Sequence, residues 1–251
     1  MAKLKDFIKF TENEVKRGSI YVWGGQGQKA TEALIDKLET SVNNKKRAKA
    51  LLKKRKASGY TDVRAYDCSG LICKALEVAG VYKAGFDTTA QGLRKTYCTQ
   101  IGRDELLPGD LVFRKNLTKT YHVGVVVDTA LNVVEAYGRD RGVIKRGINA
   151  SGGSYWNAYG RLNKLADEVE AQVVLKRVLK RTVPNMYGND VRAVQKVLYK
   201  LGYNLGKAGI DGKYGKTTEA AVKLFQKLED LTVDGKVGSN TAWALGLKFK
   251  A

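Results

Sequence analysis

Hydrophobic positions change period several times along the first 165 residues, and each change predicts an element. Leu4, Ile8 and Val15, separated by charged and polar side chains, predict an opening helix that stops before Gly18. Ser19-Ile20-Tyr21-Val22-Trp23 then reads as extended and runs into a turn at Gly24-Gly25. Leu71, Ile72, Ala75, Leu76 and Ala79 recur at i, i+3, i+4 spacing and stop at Gly80, which predicts a helix over 69–79 with Cys68 at its first turn. Leu107-Pro108-Gly109-Asp110 is a turn into the strand Leu111-Val112-Phe113. The apolar run 121–127, a turn near 128–132 and the run 133–137 predict a hairpin, and strand-like sequence continues to about Leu162. The expected fold class of residues 1–165 is therefore α+β, with one helix block and an antiparallel sheet.

Two stretches break this pattern. Residues 26–66 carry eleven Lys or Arg against four Asp or Glu, with Leu34, Leu38 and Val42, then Ala48, Leu51 and Leu52, at helical spacing. They read as a basic helical insertion or hairpin, either a solvated face or a wall-binding surface. After a linker expected over 166–182, residues 183–251 predict a small all-α domain of three helices. Val191, Val194 and Leu198 mark the first helix, Ala221, Leu224, Phe225 and Leu228 the second, and 241–245 the last. Asp211-Gly212-Lys213-Tyr214-Gly215 and Asp234-Gly235-Lys236-Val237-Gly238 repeat one turn after 23 residues, each ahead of a Thr-containing helix start. With no histidine or cysteine, this segment alone reads as a binding module.

Composition narrows the partners. The 251 residues include 45 Lys or Arg against 25 Asp or Glu, a net charge of +20 that draws the molecule toward polyanions. Nucleic acid, an acidic membrane and a teichoic-acid-rich wall all qualify on charge. The first ten residues are interrupted by charge and lack the apolar core of a signal peptide, so export by that route is not expected. No run approaches the roughly 20 apolar residues that cross a bilayer, and membrane insertion is not expected. Cys68, Cys73 and Cys98 form an odd set without CxxC spacing, which argues against a disulfide framework or a structural zinc site.

His122 is the only histidine, so any mechanism that needs an imidazole has its residue named, and metal sites built on two or three histidines are excluded. A thiol at a helix N-terminus beside an imidazolium has its pKa lowered to between about 3.5 and 7.5. Cys68 has the first feature by its local pattern, and His122, on a strand crossing that helix start, would supply the second and then protonate a leaving amine. If the hairpin turns near Asp128 and Thr129, Glu135 falls opposite His122 or close to it. It is the candidate orienting group for the imidazole.

Tyr21-Val22-Trp23-Gly24-Gly25, Asp67-Cys68-Ser69-Gly70-Leu71, Leu107-Pro108-Gly109-Asp110-Leu111 and His122-Val123-Gly124 resemble, in order, the NlpC-like papain-fold peptidases of bacterial peptidoglycan. The resemblance implies a papain-like catalytic domain over 1–165 with Cys68 as nucleophile and His122 as base, and no cofactor. It further implies that the Tyr21 hydroxyl joins the Cys68 N–H in holding the oxyanion, while Asp67 and Ser69 help bind the substrate's free amine. The third position in that family is usually His, Asn or Gln, whereas here the matching site is Glu135, displaced by about one residue. The basic insertion is longer than in a minimal member, which leaves the substrate groove partly built by residues 26–65. Gly188-Asn189-Asp190-Val191, Val194-Gln195, Leu201-Gly202, both Asp-Gly turns and Phe225-Gln226 resemble the three-helix peptidoglycan-binding domain appended to wall hydrolases.

The function these resemblances imply is hydrolysis of a stem-peptide amide, from γ-D-glutamate to the diamino acid, through a Cys68 acyl-enzyme. One catalytic and one wall-binding domain without a signal peptide are similar to a bacteriophage endolysin, held in the host cytoplasm until a holin opens the membrane. Its expected partner is peptidoglycan of a teichoic-acid-rich Gram-positive wall, with no specific nucleic acid. Two alternatives stay open at this point: a related Cys-His amidase cutting between muramic acid and L-alanine, and a catalytically idle basic protein that binds wall or nucleic acid.

Overall fold

The computed structural model describes residues 2–171 and 173–250, which fall into two compact units divided between Val169 and Glu170. The first opens with α1 (Ala2–Lys16), β1 (Ile20–Tyr21), β2 (Gln26–Lys29), α2 (Glu32–Leu38), α3 (Val42–Ala57) and β3 (Arg64–Tyr66). There follow α4 (Cys68–Val78), α5 (Ala90–Gly92) running into a π-helical turn, and the strands β4 (Cys98–Gln100), β5 (Leu111–Lys115) and β6 (Thr120–Val126). β7 (Asn132–Gly138), β8 (Gly142–Gly147), β9 (Ala158–Leu162) and α6 (Ala166–Glu170) complete it.

Six strands form one antiparallel sheet in the order β4-β9-β5-β6-β7-β8. The period of two along β6 separates two cores. Val123 and Val125 pack with Phe7 of α1 and Leu71, Ile72 and Leu76 of α4, while Val126 joins Val112, Val133 and Trp156 on the opposite face. Each of those buried aliphatic and aromatic side chains contributes about 1.5–3 kcal/mol of transfer free energy, which fixes α4 against the sheet. A buried bidentate pair ties the Leu107-Pro108-Gly109-Asp110 turn to the far strand: Arg161 donates to both Asp110 oxygens at 2.8 and 2.7 Å. Asp110 also accepts from the Leu107 N–H at 2.8 Å, closing the turn.

The insertion is narrower than its sequence suggests. Its ends are strands, since β3 pairs parallel with β1 and antiparallel with β2, and only α2 and α3 between them are helical. Thr31 caps α2 by accepting from the Leu34 N–H, and Ser41 caps α3 by accepting from the Asn44 N–H. Two caps this close break the single helical face expected from Leu34 through Val42. Val42 begins a new helix and is 83% exposed, while Ile35, Ala48, Leu51 and Leu52 pack against Ile20 and Val63.

The expected linker is also absorbed into structure. Val169 is buried in the first core, whereas Leu175 and Leu179 are buried in the second. The second unit contains β10 (Val174–Leu175), α7 (Asn189–Lys200), α8 (Lys216–Leu228), α9 (Ser239–Ala244) and β11 (Lys248–Phe249), with β10 parallel to β11. Its 23-residue repeat has a physical basis in two glutamines. Gln195 donates to Asp211, Lys213 and Thr218 and accepts from the Gly212 N–H; Gln226 does the same with Asp234, Lys236, Thr241 and Gly235. The buried face of α8 is therefore Ala221, Val222, Phe225 and Gln226, and Leu224 and Leu228, expected there, are 51% and 68% exposed. Hydrogen-bond satisfaction of a buried glutamine sets this face as much as hydrophobicity.

Candidate active site

α4 starts at Cys68 because Asp67 caps it. Asp67 Oδ1 accepts from the Gly70 N–H at 2.7 Å and the Ser69 hydroxyl at 3.0 Å, while Oδ2 accepts from the Gly24 N–H at 3.0 Å. The Asp67 N–H in turn donates to Gly25 O at 3.0 Å. One carboxylate thus ties the helix start to the Gly24-Gly25 turn that follows Tyr21. Gly24 takes φ +69°, and a Cβ on Gly70 would stand 2.1 Å from Gly25 O, so this close approach requires glycine.

The Cys68 thiol is buried, and Sγ lies 3.9 Å from Tyr121 O. Burial, then the Asp67 carboxylate, pushes this thiol up to about 12, opposed by the N–H groups of Val123, Ser69 and Cys68 itself. The sulfur therefore sits against the peptide units on both sides of His122. A buried thiol with this affinity for its proton needs a base to become a nucleophile at neutral pH.

His122 is buried, and its ring stacks on Trp156 with centroids 5.5 Å apart and planes 8° from parallel. Nε2 lies 2.6 Å from Glu135 Oε2. With Nε2–H donated to the carboxylate, Nδ1 is the acceptor nitrogen of the neutral ring. Glu135 is fully buried, and its other oxygen accepts from Arg146 Nε at 2.6 Å. Arg146 lies over Tyr137 and Tyr155, at 4.7 and 4.4 Å from their ring centroids.

Glu135 does not stand opposite His122. The β6–β7 register pairs Val125 with Val134 and Val126 with Val133, which carries His122 toward Tyr137 and makes Glu135 its diagonal neighbour on the same face. The shift arises in the turn, where Asp128 accepts from the Asn132 N–H and side-chain amide and Leu131 takes φ 58°. Arg146 and the Trp156 stack were not evident from sequence. Period-two spacing from Glu135 through its β8 partner Ile144 places Arg146 on the Glu135 face, a signal that needs the register first.

Tyr21 lies on β1 with its ring beneath Arg139, 5.0 Å from centroid to guanidinium. Its hydroxyl is pushed strongly up by burial, then by the Cys68 and Asp67 charges, so it stays a proton donor at neutral pH. Arg139 is held by a bidentate pair to Glu39 at 2.8 and 2.8 Å, and Glu39 also accepts from the Trp23 N–H at 3.0 Å. The insertion thereby braces the Tyr21 strand, a role that its sequence did not disclose. The structure brings Tyr21, Asp67, Cys68 and Ser69 together at the α4 start, with His122 on β6, the strand the thiol faces, and Glu135 on the neighbouring β7.

This frame, a helix start bearing a thiol against an antiparallel sheet bearing an imidazole, is a papain-like α+β fold. Residues 18–161 match the NlpC/P60 family, over half of the sequence, and the chain belongs to that family. Residues 187–245 match a putative peptidoglycan binding domain. The chain is 36% identical over 95 residues to the type VI secretion system spike protein VgrG3 of Vibrio cholerae, covering 34% of this chain and 9% of that protein. It is 45% identical over 58 residues to the N-acetylmuramoyl-L-alanine amidase CwlL of Bacillus licheniformis, covering 23% of this chain and 16% of that protein. The matched segments thus span 9% and 16% of the length of these curated relatives. The solved peptidoglycan hydrolase RipB of Mycobacterium tuberculosis is 18% identical with a TM-score of 0.41, covering 64% of this chain and 66% of that one.

Proposed function

We propose that this chain is a peptidoglycan hydrolase that cleaves the stem-peptide amide between γ-D-glutamate and the diamino acid. The observation that carries the reading is the Cys68 thiol lodged against the peptide units flanking His122, whose Nε2 is 2.6 Å from a buried carboxylate. His122 Nδ1 takes the thiol proton, and the sulfur attacks the amide carbonyl. The Tyr21 hydroxyl and Cys68 N–H hold the oxyanion, and the imidazolium protonates the leaving amine. Water then hydrolyses the thioester, with His122 as base and Glu135 stabilising the imidazolium that forms. Asp67 and Ser69 keep a net negative charge near the substrate's free amine.

The second unit is the wall anchor. Trp243, 83% exposed, borders a cleft of about 1160 Å³ with Leu231, Leu247 and Phe249, an apolar platform suited to sugar faces. Tethering of this kind raises the local concentration of cleavable stems. The pairing of a hydrolase with a wall anchor and +20 charge supports a lytic role on a teichoic-acid-rich wall, the role of a phage endolysin acting after release to the wall.

Purified walls test the reading. Cys68→Ala and His122→Ala each abolish turbidity loss while leaving sedimentation with walls intact, and unchanged lysis in either variant would refute the catalytic assignment. Mass spectrometry of the digest shows a new N-terminus on the diamino acid. Free lactyl-linked muramic acid without it transfers the activity to the amidase class, the class named for the Bacillus relative.

A further inference from the structure

α3 holds eight Lys or Arg and no Asp or Glu among its sixteen residues. Lys45, Lys49 and Lys53 follow one another at i, i+4 spacing, a like-charge row that opposes helix formation. Asp36 and Glu32 offset only Lys49 of this row, and among the described residues Lys45 and Lys53 have no carboxylate partner.

One face of α3 is shaped as well as charged. Asn43, Lys46, Arg47, Ala50 and Lys54 share a face by i+3 and i+4 spacing, and the short Asn43 and Ala50 leave a trough between the long basic side chains. Two adjoining clefts occupy it, of about 370 and 480 Å³, which share Leu51, Lys54 and Asp140. Arg141 of the β7–β8 turn forms the opposite wall. Asp140 is the one carboxylate lining either cleft, and Arg47 occupies it in a bidentate pair. Among the described residues, Lys46 and Lys54 have no carboxylate partner. Arg55 donates to Arg141 O at 3.1 Å and lies over the Tyr60 ring, and Arg141 lies over the Tyr137 ring.

We propose that this trough binds a linear polyol-phosphate polymer, the chemistry of wall teichoic acid, alongside the catalytic unit. The proposal rests on the wall-hydrolase reading. Evenly spaced phosphates satisfy the unpaired cations without requiring a flat contact, and released counterions drive the association. Single-stranded nucleic acid is disfavoured because grooves that hold it provide aromatic stacking platforms, and no aromatic ring lines either cleft among the described residues.

Calorimetry of the full chain with soluble poly(glycerol phosphate), and separately with single-stranded and duplex DNA of matched charge, tests this against Lys46→Ser/Lys54→Ser. The polymer binds the wild type with affinity that falls as salt rises, and the double variant binds about tenfold more weakly with a shallower salt slope. Cleavage of soluble stem-peptide fragments is the same in both. Equal polymer affinity for the two proteins overturns the proposal while leaving wall cleavage standing. DNA bound as tightly as the polymer, with the same loss in the variant, also overturns it in favour of nucleic acid. Polymer binding lost in the variant, from a wild type that releases no new amine from walls, sustains the trough and refutes the hydrolase reading instead.

Discussion

His122 and Glu135 meet diagonally across β6 and β7, Nε2 to Oε2 at 2.6 Å, and Arg146 closes the row on the carboxylate's other oxygen at 2.6 Å. A carboxylate in this place carries a charge that a neutral third residue lacks, and Arg146 offsets the cost of burying it. Glu135→Ala leaves the largely covered Arg146 guanidinium without its carboxylate, so it destabilises the first unit by about 3 kcal/mol and lowers kcat/KM on the order of 100-fold, less than loss of Cys68 or His122. Glu135→Gln keeps the shape but removes the charge, so kcat/KM falls by less than in Glu135→Ala. Wild-type rates in Glu135→Gln would remove the carboxylate from the mechanism.

Gly70 and Gly25 O face each other where a Cβ would stand only 2.1 Å away. Gly70→Ala therefore pushes the α4 start from the Tyr21 turn and breaks the Asp67 link to Gly24. Wall lysis falls by on the order of 100-fold, and the midpoint of thermal unfolding drops. A variant that melts and lyses as the wild type does would show that the turn and helix move independently.

Much of the site was legible because its residues lie in short local patterns. A small-residue turn after Tyr21, a capping Asp67 before an amphipathic run, and a strand holding the lone histidine each reveal themselves within about ten residues. What escaped depends on distant pairing. Glu135 was placed from an assumed turn, and a later turn at Leu131 moved it to a diagonal. Arg146 on Glu135 and Trp156 on the imidazole come from a strand and a loop with no local signature. Val42 and Leu224 followed helical spacing yet face solvent, because the Ser41 cap restarts one helix and buried Gln226 sets the face of the other.

Glu39 belongs to the insertion yet acts on Tyr21 through Arg139. Glu39→Gln weakens the bidentate pair and frees the guanidinium above the Tyr21 ring, so kcat falls about tenfold while KM for soluble fragments changes little. The split distinguishes a displaced oxyanion donor from a damaged groove, since a groove defect raises KM. An unchanged kcat would confine the insertion to a scaffold role.

The two Nε2 hydrogens of Gln226 are shared among oxygens of Asp234, Lys236 and Thr241, and its Oε1 accepts from the Gly235 N–H, all within the second unit. Gln226→Ala strands the buried Gly235 N–H and Thr241 hydroxyl and costs about 2–3 kcal/mol, enough to loosen a small domain. Wall sedimentation is lost while turnover of soluble stem fragments persists. Equal loss of both would mean that the second unit has a part in catalysis beyond tethering.

Cys73 and Cys98 lie in the first unit, away from the proposed chemistry, and burial pushes both thiols from an ordinary 9.0 up to about 12. A raised folded pKa means that the native state holds the proton more tightly than the unfolded chain does. Stability from this source is complete below about pH 9 and is lost as pH climbs toward 12, by about 1.4 kcal/mol per pH unit for each thiol. Urea unfolding followed from pH 8 to 11.5 should therefore show a falling midpoint, with buried Tyr66 adding to the decline above its ordinary 10.0. Cys73→Ala/Cys98→Ala begins less stable at pH 7, because two core side chains are shortened, but loses less over the same window. Parallel declines in the two proteins would assign the alkaline loss to Cys68, the tyrosines and charge repulsion instead.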